Sequence, residues 1–358
     1  MIRLLSRLLP GHPLSMAEET DLPDDEAGSE EEAPATQTSS PGIEKLPSDA
    51  WLRIHRINAA FGNWLLTGHP YEGLFINPLE QRLVDAVAAL ANGSEPVAHR
   101  VRRLPGVIPQ LLQSLRSDDF SGAELARKIS HDPTLVAAVV RLANSSYYHL
   151  REPIASIQHA ILVIGQDGLR QLITSVAFQP IIDLRSGYFT RMIAPRLWMQ
   201  SERCALACRL LATEAEQDQF SAFLAGLILN VGLTVSLRLV DNLAQGDQDI
   251  GSEAFCQAIA SHARRLSVRI GQEWKFPEEV IVAIREQGDG GGMSPLGRIL
   301  ACGDRLSKML LLSQDNLLEP QDAAYFGALP PGEAACLEEL RQLQLSLPGL
   351  QALSSSAR

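Results

Sequence analysis

The chain has 358 residues, 46% of them apolar and 20% charged, with a formal net charge of −11, which suffices for one large core or two modest ones. Most of that negative charge falls at the start, where ten acidic residues and no basic one lie between Glu18 and Glu44. The remainder is nearly neutral, which excludes the basic surface that sequence-independent nucleic-acid binding requires.

The first ten residues, MIRLLSRLLP, set two arginines among leucines. They are too short for a signal-peptide core and marginal as an isolated helix, so they read as a frayed start rather than a membrane-surface helix. Residues 1–47 are rich in Glu, Asp, Pro, Ser and Thr and are expected to form a disordered acidic N-terminal tail, because they have little apolar surface to bury. Residues 48–98 are expected to be a helical N-terminal extension. The aromatic residues Trp51, Phe61, Trp64, Tyr71 and Phe75 suit either a docking segment or a plain continuation of the core.

Asn77-Pro78-Leu79-Glu80 has the spacing of a capping box with Pro at the first helical position. Leu79, Leu83, Val84, Val87 and Leu90 follow at helical intervals. Ser121 to Glu124 repeats the box, and Asp132-Pro133 marks a further helix start. The adjacent His131 lies outside that helix, so His131-Asp132 is a capping sequence rather than a metal-ligand pair. Helical patterns continue over 153–164, 166–182, 196–215, 218–240, 252–274, 277–287 and 294–313, and no alternating strand run appears. The expected fold is all-α, with helices stacked around a buried central one.

The apolar run Ala222–Leu237 is shorter than the roughly 20 residues of a membrane span. It is also diluted by Gly226, Asn230, Gly232, Thr234 and Ser236, so it predicts a core helix and no transmembrane segment. Residues Gly288 to Gly292 predict a plain loop, since no strand precedes them and no G-K-[ST] follows. Residues 314–358 predict C-terminal peripheral helices and a frayed tail. The five cysteines, Cys204, Cys208, Cys256, Cys302 and Cys336, contain no C-x-x-C pair. They are expected to be reduced thiols in a cytoplasmic protein, without a zinc or disulfide role.

Several of these segments together resemble one family. Leu104-Pro105-Gly106-Val107-Ile108-Pro109 is similar to its opening turn, and Ile129 to Leu135 to its I-x-x-D-P-x-L. Arg141-Leu142-Ala143-Asn144-Ser145-Ser146-Tyr147-Tyr148 is similar to its R-L-x-N-S-x-x-[FY]. Ile154 to Ile161, Ile164-Gly165, Leu169-Arg170, Trp198 to Ser201, Ala225-Gly226-Leu227 and Trp274 to Pro277 extend the match. These residues resemble the HDOD family, bacterial signal-transduction domains related to the HD phosphohydrolases. The resemblance covers roughly 104–310 and implies an HDOD domain over 99–313.

The HD hydrolases use His and carboxylate ligands from separate helices to hold metals that activate water. Residues 225–234, AGLILNVGLT, resemble the helix that carries their His-Asp pair, A-G-L-L-H-D-I-G-K. Carried over by the resemblance, the ligand positions fall on Gln200, Leu229, Asn230, Gln287, Gly288 and Asp304. Only Asp304 keeps a ligand type; Leu has no lone pair, and a neutral amide is a poor substitute for a carboxylate. Leu233 stands at the Lys position of that motif. His262 lies near a position where such domains carry His, one residue out of register, and reads as a core or surface residue. Asn144 and Ser145 are expected to end an apolar helix through backbone hydrogen bonds. Asp304 and Arg305 are expected to form an ion pair on a helix surface.

The resulting expectation is a non-enzymatic HDOD signalling protein with no metal and no cofactor. It would bind a partner protein or a small ligand in the cleft of the degenerate site. Two alternatives stay open. One is a divergent metal-dependent phosphohydrolase acting on a nucleotide or cyclic dinucleotide. The other is a nucleotide sensor without turnover, with Arg141, Arg170 and Arg305 lining the cleft and Asn144 and Ser145 beside them.

Overall fold

The structure is a computed structural model that describes residues 48–66, 75–95, 97, 136, 139–140, 143–144, 153–154, 156–182, 187–244, 250–288 and 292–345. The expected acidic tail, the opening turn at 104–109, the second capping box, Asp132, Arg141, Ser145, the middle of the 288–292 loop and the final tail lie outside them. All the described residues belong to one unit, Ile43–Arg358. Every regular element among them is a helix, in agreement with the all-α expectation.

The Asn77 box closes reciprocally at the start of α2 (Pro78–Asn92), which follows α1 (Ser48–Leu66). The Glu80 amide donates to Asn77 Oδ1 at 2.8 Å, and the Asn77 amide to Glu80 Oε2 at 2.9 Å. Leu83, Val84, Val87 and Ala91 turn inward, as their spacing requires. Glu80 is itself fully buried. Its Oε1 accepts from the amides of Gly251 and Ser252, both at 2.8 Å, and its Oε2 from the Ser252 hydroxyl at 2.7 Å. Ser252 in turn caps α7 (Glu253–Glu273), accepting from the Phe255 amide. One carboxylate therefore holds two helix starts together, and the positive ends of both helix dipoles favour its charge.

The third described helix, α3 (Ile157–Ile182), breaks at Gly165, whose φ of 74° lies in the left-handed region that favours glycine. This is where the sequence pattern divides into 153–164 and 166–182. The next helix, α4 (Tyr188–Glu214), departs from expectation. It begins eight residues before the predicted start at 196 and runs through Pro195. A proline inside a helix removes one donor and argues for a boundary. Here the early start is held from outside: Asp241 accepts from the amides of Phe189 and Thr190, at 2.7 and 3.1 Å.

The predicted helix 218–240 is two helices, α5 (Gln219–Ile228) and α6 (Val231–Leu243), separated by Leu229 and Asn230. The break is stitched to α7 by Ser267. Its hydroxyl donates to the Leu229 carbonyl at 2.7 Å and accepts from the Gly232 amide at 2.9 Å. Gly232 permits this approach, since a Cβ there would stand 2.0 Å from the Ala263 carbonyl oxygen.

Residues 220–228 are all buried, so α5 is the central helix, packed against α3, α4, α8 (Glu278–Glu286) and α9 (Pro295–Gln314). Gln219–Leu243 is long and apolar enough to cross a membrane, but 89% of its apolar window is buried within the fold. Phe178, Trp274 and Phe276 pack with ring centroids 5.7–6.0 Å apart beside the α7–α8 turn. Two short helices follow, α10 (Pro320–Phe326) and α11 (Pro331–Leu345).

Helix α1 joins the main core, so residues 48–66 continue it. Ile57, Phe61, Trp64, Leu65 and Leu66 are buried in the same apolar cluster as α5. Polar contacts fix the position of α1: the Trp64 indole donates to Asp315 at 2.5 Å, and Arg196 donates to the Trp64 carbonyl at 2.8 Å. Arg56 binds Asp322 through two nitrogens, at 2.7 and 3.0 Å.

Candidate functional site

Three of the six carried-over positions meet. Gln200 projects from the middle of α4, Asn230 stands at the break before α6, and Asp304 lies in α9. Gln200 Nε2 donates to Asp304 Oδ1 at 2.9 Å and to the Ser307 hydroxyl at 3.2 Å. Gln200 Oε1 accepts from the Asn230 side-chain amide. That amide also lies 3.5 Å from the Ser201 hydroxyl, and Ser307 donates to the Asp304 carbonyl at 2.9 Å. Gln200 and Ser201 are fully buried. A buried amide without partners costs about 1–3 kcal/mol, and this chain of contacts satisfies it.

The remaining positions do different work. The Leu229 side chain is buried in the apolar cluster. Gln287 Nε2 donates to the carbonyls of Ala283 and Gly297, at 2.8 and 3.0 Å, closing the end of α8 onto the start of α9. Gly288 leaves space filled by Arg264; a Cβ there would stand 2.5 Å from a guanidinium nitrogen. Leu233 packs partly buried against the core.

The expected Asp304–Arg305 ion pair is not formed. Neighbouring residues on a helix point about 100° apart, whereas residues four apart share a face. Asp304 Oδ2 accordingly pairs with Lys308 Nζ at 2.6 Å, and Arg305 pairs with Glu333 of α11 at 2.6 Å. Lys308 also donates to Asn58 Oδ1 of α1 at 2.8 Å and lies 5.3 Å from the centre of the Phe61 ring. Lys308, Ser307, Ser201 and Asn58 are thus members of the site that sequence reasoning missed. The four-residue spacing of Asp304 and Lys308 was the available signal.

Of the residues named for ligand binding, Asn144 is fully engaged with the backbone. It donates to the carbonyls of Val140 and Ile154 and accepts from the Ile154 amide at 2.6 Å. The Arg170 guanidinium sits 4.7 Å over the Phe220 ring. His262 Nδ1 is buried without a hydrogen-bond partner among the described residues, and burial, with Arg265 beside it, lowers its pKa. All five thiols are free. Burial above all pushes those of Cys256, Cys302 and Cys336 up to about 12.

A metal of the HD-hydrolase kind would draw on this donor set. Gln200, Asn230 and Asp304 supply one carboxylate and two neutral amides, and the carboxylate is already bound by an ammonium. Among the described residues no group of three or more His, Cys, Asp or Glu side chains is placed to hold a metal ion. The set does not fit a catalytic divalent cation.

Residues 101–289 match the HDOD domain model. The chain belongs to the HDOD family. Its fold is shared by an HDOD domain protein of unknown function from Geobacter sulfurreducens, 20% identical, covering 78% of this chain and 95% of that one, with a TM-score of 0.50. A protein from Shewanella amazonensis SB2B, provisionally named a metal-dependent phosphohydrolase, is 18% identical over 75% of this chain and 99% of its own, with a TM-score of 0.54. An uncharacterised protein of Treponema pallidum (strain Nichols) is 24% identical over 196 residues, which are 52% of this chain and 37% of that protein. This HDOD chain therefore spans little more than a third of that relative's length.

Proposed function

We propose that this HDOD protein is a non-catalytic signalling component that binds a partner protein or a small ligand at the degenerate HD-type site. The observation that carries the reading is Gln200. It occupies a ligand position of the family and is tied by hydrogen bonds to two others, Asn230 and Asp304. A hydrolytic site needs lone pairs directed at a metal and a water held for attack. Here one amide group donates to the lone carboxylate and to the Ser307 hydroxyl, and the other donates to the first.

The nucleotide-sensor reading has less support: Arg305 is held by Glu333, and Arg170 lies over Phe220. The reduced thiols support a cytoplasmic setting for the proposed role.

The experiment uses the full chain, purified without a metal-affinity tag. Hydrolysis of bis(p-nitrophenyl) phosphate and of cyclic dinucleotides is measured with Mn²⁺ and Mg²⁺, beside Asp304→Ala. The expected result is no turnover above buffer in either protein. Metal-dependent hydrolysis that disappears in Asp304→Ala would establish the phosphohydrolase reading instead.

A further inference from the structure

We propose that the Lys308 ammonium is the built-in cation of this pocket and that it keeps divalent metal out. The inference deepens the non-catalytic reading and rests on it for the location of the site.

Position comes first. Lys308 binds Asp304 on the oxygen opposite the one held by Gln200. The side chains of the pair are only 14% and 19% exposed, so the carboxylate offers little open face to a second cation. The protons of the ammonium are the next observation. One goes to Asp304, one to Asn58 Oδ1, and the charge lies within reach of the Phe61 ring face. A carboxylate, an amide oxygen and an aromatic face together hold a cation that cannot diffuse away.

The direction of the amides is the third observation. Gln200 presents its NH₂ to Asp304 and its carbonyl oxygen to Asn230. On the Oδ1 side of Asp304 a metal ion would meet N–H hydrogens rather than lone pairs. Turning the amide over would set its oxygen against the carboxylate and its NH₂ against that of Asn230. The network is therefore arranged for a tethered charge of +1 and against a free charge of +2. Without the ammonium, Asp304 Oδ2 and Asn58 Oδ1 present oxygen donors where Lys308 now stands, which is the ligand type of hard cations.

The test is Mn²⁺ uptake by the full chain, followed by loss of the free-ion EPR signal, for wild type, Asp304→Asn, Lys308→Met and Lys308→Met/Asp304→Asn. Circular dichroism monitors folding. Lys308→Gln serves as the second variant if Lys308→Met does not fold. Wild type is expected to leave Mn²⁺ free. The Lys308 variant is expected to take up one ion per chain with affinity of order 10⁻⁴–10⁻³ M, and the double variant to lose that uptake. Stoichiometric Mn²⁺ on wild type that Asp304→Asn abolishes overturns the proposal. So does a folded Lys308 variant that takes up none. Phosphodiester turnover by wild type without bound Mn²⁺ would defeat the non-catalytic reading alone, whereas Mn²⁺ uptake without turnover would defeat only the role given to Lys308.

Discussion

Glu202 and Arg203 are consecutive residues of α4, and each is perturbed by its surroundings. Burial raises the Glu202 carboxyl to about 7, against a partial opposing effect of Arg203. Burial lowers Arg203 to about 10, which Glu202 partly offsets. In the unfolded chain Glu202 loses its proton near 4.5. Between about 4.5 and about 7 the folded state therefore holds a proton that the unfolded state has released. Stability is expected to fall as pH rises through that window and to level off above it. Glu202→Gln should flatten the slope, with a gain of roughly 1–3 kcal/mol over wild type at pH 8. Urea unfolding at a series of pH values reads the effect; parallel curves for the two proteins would refute it.

Legibility at this scale was uneven. That Gln200, Leu229 and Asn230 are not metal-ligand types could be read from the sequence alone, because it depends only on the side chains' chemistry. The partner of Asp304 could also have been read, since Lys308 lies four residues on. Adjacency in sequence drew attention to Arg305 instead, although adjacent side chains diverge on a helix. The perturbation of Glu202 could not be read, because it depends on burial among elements distant in sequence.

At the scale of elements, helix starts marked by local side chains were legible and those marked by distant ones were not. Asn77, Asp218, Ser252 and Ser294 each cap the helix that follows them, and all are residue types that favour that position. The start of α4 at Tyr188 depends on Asp241, more than fifty residues away, so the local pattern places it eight residues late. The break between α5 and α6 depends on Ser267 in α7. Glu80 shows both cases in one side chain: its link to Asn77 is local, and its links to Gly251 and Ser252 are not. Glu80→Ala is expected to leave the amides of Asn77, Gly251 and Ser252 without acceptors in a buried place. The loss should be about 3–5 kcal/mol, with faster amide exchange over residues 251–255 as well as 77–81. A loss confined to the first turn of α2 would show that the cross-link contributes nothing.

At the scale of the whole molecule, the open question in the sequence was the status of residues 48–76. Aromatic residues at helical spacing show that a helix has an apolar face, but not what that face meets. In the fold it meets α4, α7 and α9, and Lys308 links Asp304 to this N-terminal helix through Asn58. The five buried apolar residues of α1 each contribute about 2 kcal/mol of gross burial energy. Their sum is comparable with the 5–15 kcal/mol net stability of a typical protein. A chain that starts at residue 67 is therefore expected to melt at least ~10 °C below one that starts at residue 48, and to bind a hydrophobic dye such as ANS where α4 and α9 lose their cover. Lys308→Met in the longer chain separates the polar contribution from the apolar one. It should speed amide exchange around Asn58 and Phe61 while α1 stays docked through Trp64, Arg196 and Arg56. Equal melting temperatures for the two chain lengths would mean that α1 is an independent segment resting on the HDOD core.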